Sequence, residues 1–424
     1  MTDRIIKILR DCAVDTWRIT ETYGETAELY FVKKKLDMPR IKNMHGWVVE
    51  VFCDFDENGM KLRGSSNALL SPGMTDEEIK SRINGAVYAA SFAKNPFFEL
   101  PKPVKEEHRL SDSDLAEMSP KDAVIKAAGV IMDTDCAEDA FVNSSEIFAA
   151  KSTVRMIASN GLDVCFDSCR LSGELVAQCP EPNDVEQYRG FSYEHFDENG
   201  LRNVVLNALR DVRYRAQSTR PPVAGKYDVI LKGEHIRTVL DYYADRASAN
   251  MIYPGYSAWK TGMDIQGSGE GERLDLTFVP TDPYSSEGIP MIERSFVRDG
   301  VLQCIQGPAR FCGYLGIEPT GYYEKIRCGR GTKPAAELEK KGVLELVSFS
   351  DFQMDSFDGH FKGEIRLAFL HNGDGSFDVL SGGSVNGSLP EAQGSLTFSA
   401  ERYSDSSYDG PAAVLIPGVM IAGA

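Results

Sequence analysis

The sequence predicts an α+β fold with strands in the majority. Three observations lead there: capped helical stretches and strand-like runs both occur in the first half without strict alternation, an Asn160-Gly161 pair sits between two β-rich runs, and short β-rich runs separated by Gly, Asp, Ser and Asn fill most of the last 150 or so of the 424 residues. The proline-bearing segment Arg220-Pro221-Pro222-Val223-Ala224-Gly225 divides the chain into an N-terminal α+β domain over 1–222 and a β-rich C-terminal domain over 223–424.

Taken in order, Arg4 to Thr20 predicts an amphipathic helix, and Ala27 to Lys34 and Trp47 to Cys53 predict strands, with Asp56-Glu57-Asn58-Gly59 turning the chain into the next. Thr75-Asp76-Glu77-Glu78 is a capping box, and Ile79, Ile83, Val87 and Ala90 carry its helix to about Phe92. Ser119-Pro120-Lys121-Asp122 opens a second helix toward Met132 with proline in its first turn. Short runs between Phe141 and Val176 form a meander, with Asn160-Gly161 joining Thr153–Ser159 to Leu162–Asp167 as a hairpin. Leu201, Val204, Val205, Ala208, Leu209 and Val212 keep helical spacing. The second domain begins with a strand at Tyr227 to Leu231 and a helix from Glu234 to Ala249, followed by strands such as Leu274–Val279, Val343–Phe349, Glu364–Leu370 and Val414–Ile421. The pentapeptide Phe55–Gly59 returns at Phe196–Gly200, too short to define a repeat.

A net charge of −17, with a pI near 4.9, opposes a nucleic-acid backbone or an anionic membrane as direct partner. Nine scattered cysteines, an odd number without a CxxC pair, fit a reducing cytoplasm. Neither an export signal nor an apolar run of membrane-spanning length is expected.

Most chemical signals are weak when their context is included. Asp54-Phe55-Asp56-Glu57-Asn58-Gly59 resembles the front of a calcium loop, but its twelfth position is Ser65 and strands flank it, so a hairpin turn is expected. Gly267–Gly271 and Gly329–Lys333 lack the strand-to-helix setting of a phosphate loop, and Pro334 follows the lysine of the second. Gly383–Gly387 has its serine one place early for a nucleophile elbow. Cys165 and Cys169 fall on one strand face as small buried apolar groups. His45, His108, His195, His235, His360 and His371 include no pair at helical ligand spacing, and they read as structural.

Several segments in order resemble the TldD/TldE (PmbA, modulator of DNA gyrase) family: the strand and helix over Lys226–Ala249, Ser257–Gly262, Asp282–Pro290 as a shortened aspartate-rich loop, Phe296–Leu302, the turn Asp358–Gly363 and the ending Val419–Gly423. The N-terminal half fits through Ala27–Tyr30 and the helix near Ala86–Ala90. Catalytic members carry HExxxH on that helix and are zinc metallopeptidases. Here a gapless match puts Asp241 and Arg246 at the histidine positions and Tyr242 at the glutamate. A permanently protonated guanidinium cannot ligate a cation. The family's C-terminal cysteine is also missing, since the last cysteine is Cys328.

The resemblance therefore implies a cytoplasmic TldE/PmbA-like subunit that has no catalytic residues, metal or cofactor of its own, with Asp241, Tyr242 and Arg246 as degenerate positions. Its implied partners are a TldD-like catalytic subunit, in a dimer, and an unfolded peptide that pairs as an added strand. Two rival readings stay open: a self-contained hydrolase with an unrecognised site using Asp241 and Tyr242, and a stand-alone homo-oligomeric peptide-binding protein.

Overall fold

Period-2 alternation of buried and exposed residues governs the first half of the computed structural model, which describes residues 1–136 and 138–423. Strands β1 (Thr16–Val32), β2 (Lys35–Glu57), β3 (Met60–Leu70), β4 (Asn95–Pro96), β5 (Phe141–Ala158), β6 (Asp163–Cys179) and β7 (Val185–Tyr193) form one antiparallel sheet in the order β4-β3-β2-β1-β5-β6-β7. The short runs expected here are joined into strands as long as 23 residues.

The first helix is shorter than its periodicity predicted. Helix α1 (Thr2–Asp11) ends where Ala13 adopts a positive φ of 54°, and Thr16–Thr20 belongs to β1. Trp17 and Ile19 are buried while Thr16, Arg18 and Thr20 are only partly so, which is strand alternation rather than a helical stripe. Asn58 and Gly59, both at positive φ, make the β2–β3 hairpin expected in place of a calcium loop, and Arg63 pairs with Asp54 across it. The same pentapeptide at Phe196–Gly200 instead starts a helix, with Asp197 accepting the Gly200 amide. Neighbouring residues, not those five, decide its conformation.

Helix α2 (Asp76–Ala90) has the full capping box at Thr75 and Glu78, α3 (Pro120–Thr134) is capped by Ser119, and α4 (Glu198–Gln217) follows β7. All cover one face of the sheet. Odd-numbered side chains of β1, β5 and β6, among them Ile19, Ala27, Ile147, Leu171 and Leu175, are buried beneath them. Even-numbered Met156, Val164 and Phe166 point to the other face and pack against Tyr284 from the second half.

After residue 224 the chain builds two further sheets. The strands are β8 (Gly225–Lys232), β9 (Leu276–Val279), β10 (Arg294–Arg298), β11 (Val301–Leu302), β12 (Lys325–Cys328), β13 (Leu344–Met354), β14 (His360–His371), β15 (Phe377–Leu380), β16 (Ser384–Ser388), β17 (Thr397–Phe398), β18 (Arg402–Ser404), β19 (Tyr408–Pro411) and β20 (Ala413–Ala422). One sheet runs β11-β10-β9-β12-β19-β18. In the other, β13 pairs with both β8 and β14, so β13, β8, β20, β16 and β14 close into a ring flanked by β15 and β17. Helix α5 (Glu234–Arg246) packs on that ring. The single helix expected to Ala249 is interrupted at Ala247 and Ser248 before α6 (Ala249–Ile252).

The architecture is α+β, with 43% strand and 23% helix. No helix among the described residues is long and apolar enough to cross a membrane.

Thr75→Ala removes the hydroxyl that accepts the Glu78 amide and disrupts the reciprocal cap. The variant should lose about 1 kcal/mol of stability in urea denaturation, whereas a loss indistinguishable from zero would show that packing alone sets the start of α2.

Candidate functional site

Strand β8 enters the core as Val229, Ile230 and Leu231, each fully buried, because β13 and β20 flank it and both its faces are covered. Helix α5 then buries Ile236, Val239, Leu240 and Tyr243 in the same core. Their 3.6-residue spacing fixes the rotation of the helix. It follows that 237, 241 and 245 form one stripe, and 242 and 246 another.

The second stripe is built into the fold. Arg246 Nη1 donates to the carbonyls of Tyr256 at 2.7 Å and Phe357 at 2.9 Å, and the guanidinium lies 5.6 Å from the Trp259 ring centre and 5.9 Å from that of Tyr242. The Tyr242 ring is buried edge-on against Tyr243 and Trp259. The Ser257 hydroxyl donates to the Arg246 carbonyl at 2.7 Å, tying the segment after α5 back to the helix end. Arg246 thus joins three pieces of chain: the helix end, the 256–259 loop and the turn before β14.

The first stripe is partly exposed at Arg237 and Asp241 and exposed at Asp245. Asp241 pairs with Arg237 at 2.8 Å, and the Ser356 hydroxyl donates to Asp245 at 2.5 Å. Burial pushes the Asp241 carboxyl up to about 6, with Asp245 adding to the rise and Arg237 opposing it. Arg237 and Asp245 line a cleft of about 660 Å³ whose other wall includes Gln353, Met354 and Asp355.

These side chains do not fit a zinc ion. Arg246 is cationic and engaged with carbonyls, the Tyr242 phenol is held further from ionisation by burial, and only Asp241 has a ligand atom, already shared with Arg237. Cys328 lies in the core, where burial pushes its thiol far up. Elsewhere, Glu339, Glu345 and His371 are the one cluster with metal-ligand geometry among the described residues. The Lys232 ammonium already sits between both carboxylates at 2.9 Å, filling that place with a built-in cation.

Of the other histidines, His45, His108, His195 and His360 lie beside carboxylates and His235 faces the Val347 carbonyl. Cys169 is buried and Cys165 half-buried. Ser384 lies within β16, a strand rather than an elbow.

A larger cavity, about 830 Å³, lies between the even-numbered face of the N-terminal sheet and the loop Thr281–Glu287. Arg18, Glu50, Met156 and Phe166 form its floor, and Tyr322 and Tyr323 line both this cavity and the cleft beside α5. The loop is held by a turn in which Gly288, at φ +78°, donates to the Ser285 carbonyl. A Cβ on Gly288 would come within 2.5 Å of Leu162, so glycine lets the loop rest on the β5–β6 hairpin. Sequence reasoning singled out the loop without giving its residues a task and missed Tyr322 and Tyr323. The Arg237, Asp241 and Asp245 stripe was visible as residues four apart; the two tyrosines carry no local signal.

A helix-covered antiparallel sheet followed by a strand ring and a second sheet defines the class of fold. No protein-family sequence model and no curated protein sequence matches the chain. Solved structures do. TldE from Thermococcus kodakarensis aligns at a TM-score of 0.79 over 99% of this chain and 100% of its own, with 16% identity. A proposed modulator of DNA gyrase from Bacteroides thetaiotaomicron aligns at 0.79 over 100% and 99%, with 17% identity, and another from Thermotoga maritima at 0.75 over 99% of each, with 15%. The chain shares their fold end to end.

Arg246→Ala should cost about 2–4 kcal/mol, since two charge-assisted hydrogen bonds and ring contacts disappear together. Urea denaturation checks this, and a loss under about 0.5 kcal/mol would mean that the guanidinium is not structural.

Asp241 gives a pH signature. Because its folded pKa lies above the unfolded value, the native state holds the proton more tightly, and this contribution to stability is complete below about pH 4 and lost as pH rises to about 6. The stability of the parent relative to Asp241→Asn should fall across that window, measured by denaturation at a series of pH values. A constant difference would contradict the raised pKa.

Proposed function

We propose that this chain is a non-catalytic, TldE-like subunit that holds unfolded peptide for cleavage by a zinc-bearing, HExxxH-containing relative with which it forms a dimer in the cytoplasm. The observation that carries the proposal is Arg246, clamped by two carbonyls at the position where a zinc helix needs an imidazole. A surface that had merely drifted would leave that side chain loose. Here the substitution is integrated into packing that any returning histidine would have to displace.

Two features support peptide binding. The cleft beside α5 and the cavity under the 281–287 loop are both lined by Tyr322 and Tyr323, which places two recesses side by side. Beyond Leu346, β13 pairs with β14 alone, and its last residues, Gln353 and Met354, reach the cleft, so main-chain groups there can accept an added strand. The nine free cysteines accord with a reducing compartment. Direct binding to DNA is disfavoured by the charge of −17.

A self-contained hydrolase is the second reading, favoured by the Asp241 carboxyl near 6, one helical turn from the cleft residues Arg237 and Asp245. One experiment separates the two. The purified chain should contain no stoichiometric zinc by elemental analysis and should cleave no member of an unstructured peptide library. Mixed with an HExxxH-bearing chain from the same genome, it should form a stable complex in size-exclusion chromatography that does cleave. Hydrolysis by the chain alone, abolished in Asp241→Asn, would overturn the subunit reading in favour of the hydrolase.

A further inference from the structure

The 830 Å³ cavity has a lining whose charges do not balance. Four carboxylates face it, those of Glu50, Asp282, Glu287 and Glu324. Glu50 is matched by Arg18 at 2.5 Å, and Glu324 by Arg170 at 3.4 Å. Asp282 and Glu287 have no ion-pair partner among the described residues. Glu287 accepts the Ala309 amide at 2.7 Å, at the start of α7 (Ala309–Leu315), and is thereby held in place by a neutral donor. Ser168 lines the cavity beside Asp282. Burial raises the pKa of both, outweighing the opposing effect of Arg170 near Asp282 and of Arg18 near Glu287.

The remainder of the lining suits the body of a long side chain. Met156, Phe166 and Met291 are apolar, and the rings of Tyr322 and Tyr323 stand where the cavity meets the α5 cleft. Lysine and arginine bury an aliphatic stem against such surfaces while their charged heads seek carboxylates or aromatic faces. Tyr322, which lines both the cavity and the cleft, is 44% exposed.

We propose that this cavity is a specificity pocket for a basic side chain of the bound peptide, with the aliphatic stem along its apolar lining and the cationic head in the negative field of Asp282 and Glu287. The assignment rests on the peptide-binding reading and adds to it the chemical class selected. A guanidinium entering the pocket brings a positive charge to a lining in which carboxylates outnumber cations, so discrimination against a neutral isostere should be large. The neutral side chain would leave both carboxylates as unmatched as they are in the free protein.

Three C-amidated nonapeptides without secondary structure test the idea by fluorescence anisotropy with the whole 424-residue chain: one N-acetylated with central arginine, one N-acetylated with central citrulline, and one with no basic side chain but a free N-terminus. The arginine peptide should bind about tenfold or more tightly than the citrulline peptide. That advantage should vanish in the isosteric double variant Asp282→Asn, Glu287→Gln, and shrink in Tyr322→Ala, a change at an exposed ring that spares the core. Circular dichroism establishes that each variant is folded, and a folded double variant that retains the full preference overturns the proposal. Equal affinity of the arginine and citrulline peptides overturns the pocket while leaving peptide binding intact. Binding of the free-amine peptide in place of the arginine peptide assigns the carboxylates to an α-ammonium and overturns the side-chain assignment. If no peptide binds, the peptide-holding function falls, and the pocket with it.

Discussion

Both faces of the N-terminal sheet are committed, and the rest of the structure depends on that constraint. Odd-numbered residues of β1, β5 and β6 lie beneath helices, while even-numbered ones meet the second half or line the cavity. A slip of one residue in any of these strands would exchange the two sets. Arg18 and Glu50 would be driven under α1 and α2, and Trp17 and Ile19 would face the cavity. The site between the halves is therefore set by strand parity many residues away from its walls.

Helix α5 shows how a fold can retain a layout while its chemistry changes. The apolar stripe through Ile236, Leu240 and Tyr243 is demanded by the ring it packs against, so the helix keeps its place whatever occupies 241, 242 and 246. Those three positions then answer to other neighbours. Tyr242 joins an aromatic group with Tyr243 and Trp259, and Arg246 supplies donors to carbonyls of a loop and a turn that would otherwise lack them. Asp241 alone retains an ionisable group beside open space.

Much of this was legible in the sequence where the signal is local. The caps at Thr75 and Ser119, the hairpins at Asn58-Gly59 and Asn160-Gly161, and the β8–α5 junction each depend on a few adjacent residues. Failures arose where distant partners decide. The run Arg4–Thr20 supports a helix in isolation, but pairing with Val48–Phe52 and Met156–Ala158 draws its second half into β1. The degenerate positions were identified by matching a helix pattern. What Arg246 does there was hidden, because its partners lie 10 and 111 residues further along. The cavity was hidden for the same reason, since its floor and roof come from opposite halves of the chain.

The strand ring has a consequence for how the protein is made. Its central members, β8 and β20, are the first and last strands of the second half, and β8 finds its antiparallel neighbour only once β20 has been synthesised. Until then the apolar triplet Val229-Ile230-Leu231 has one unpaired edge, and α5 rests on an incomplete wall. Closing so long a loop is entropically unfavourable and slow, and exposed edges of this kind invite association with other chains. On the ribosome, the N-terminal sheet can assemble first, from the hairpins β1–β2–β3 and β5–β6–β7 joined through the β1–β5 pairing. The second half must wait, and a nascent chain in that interval is a natural client for chaperones.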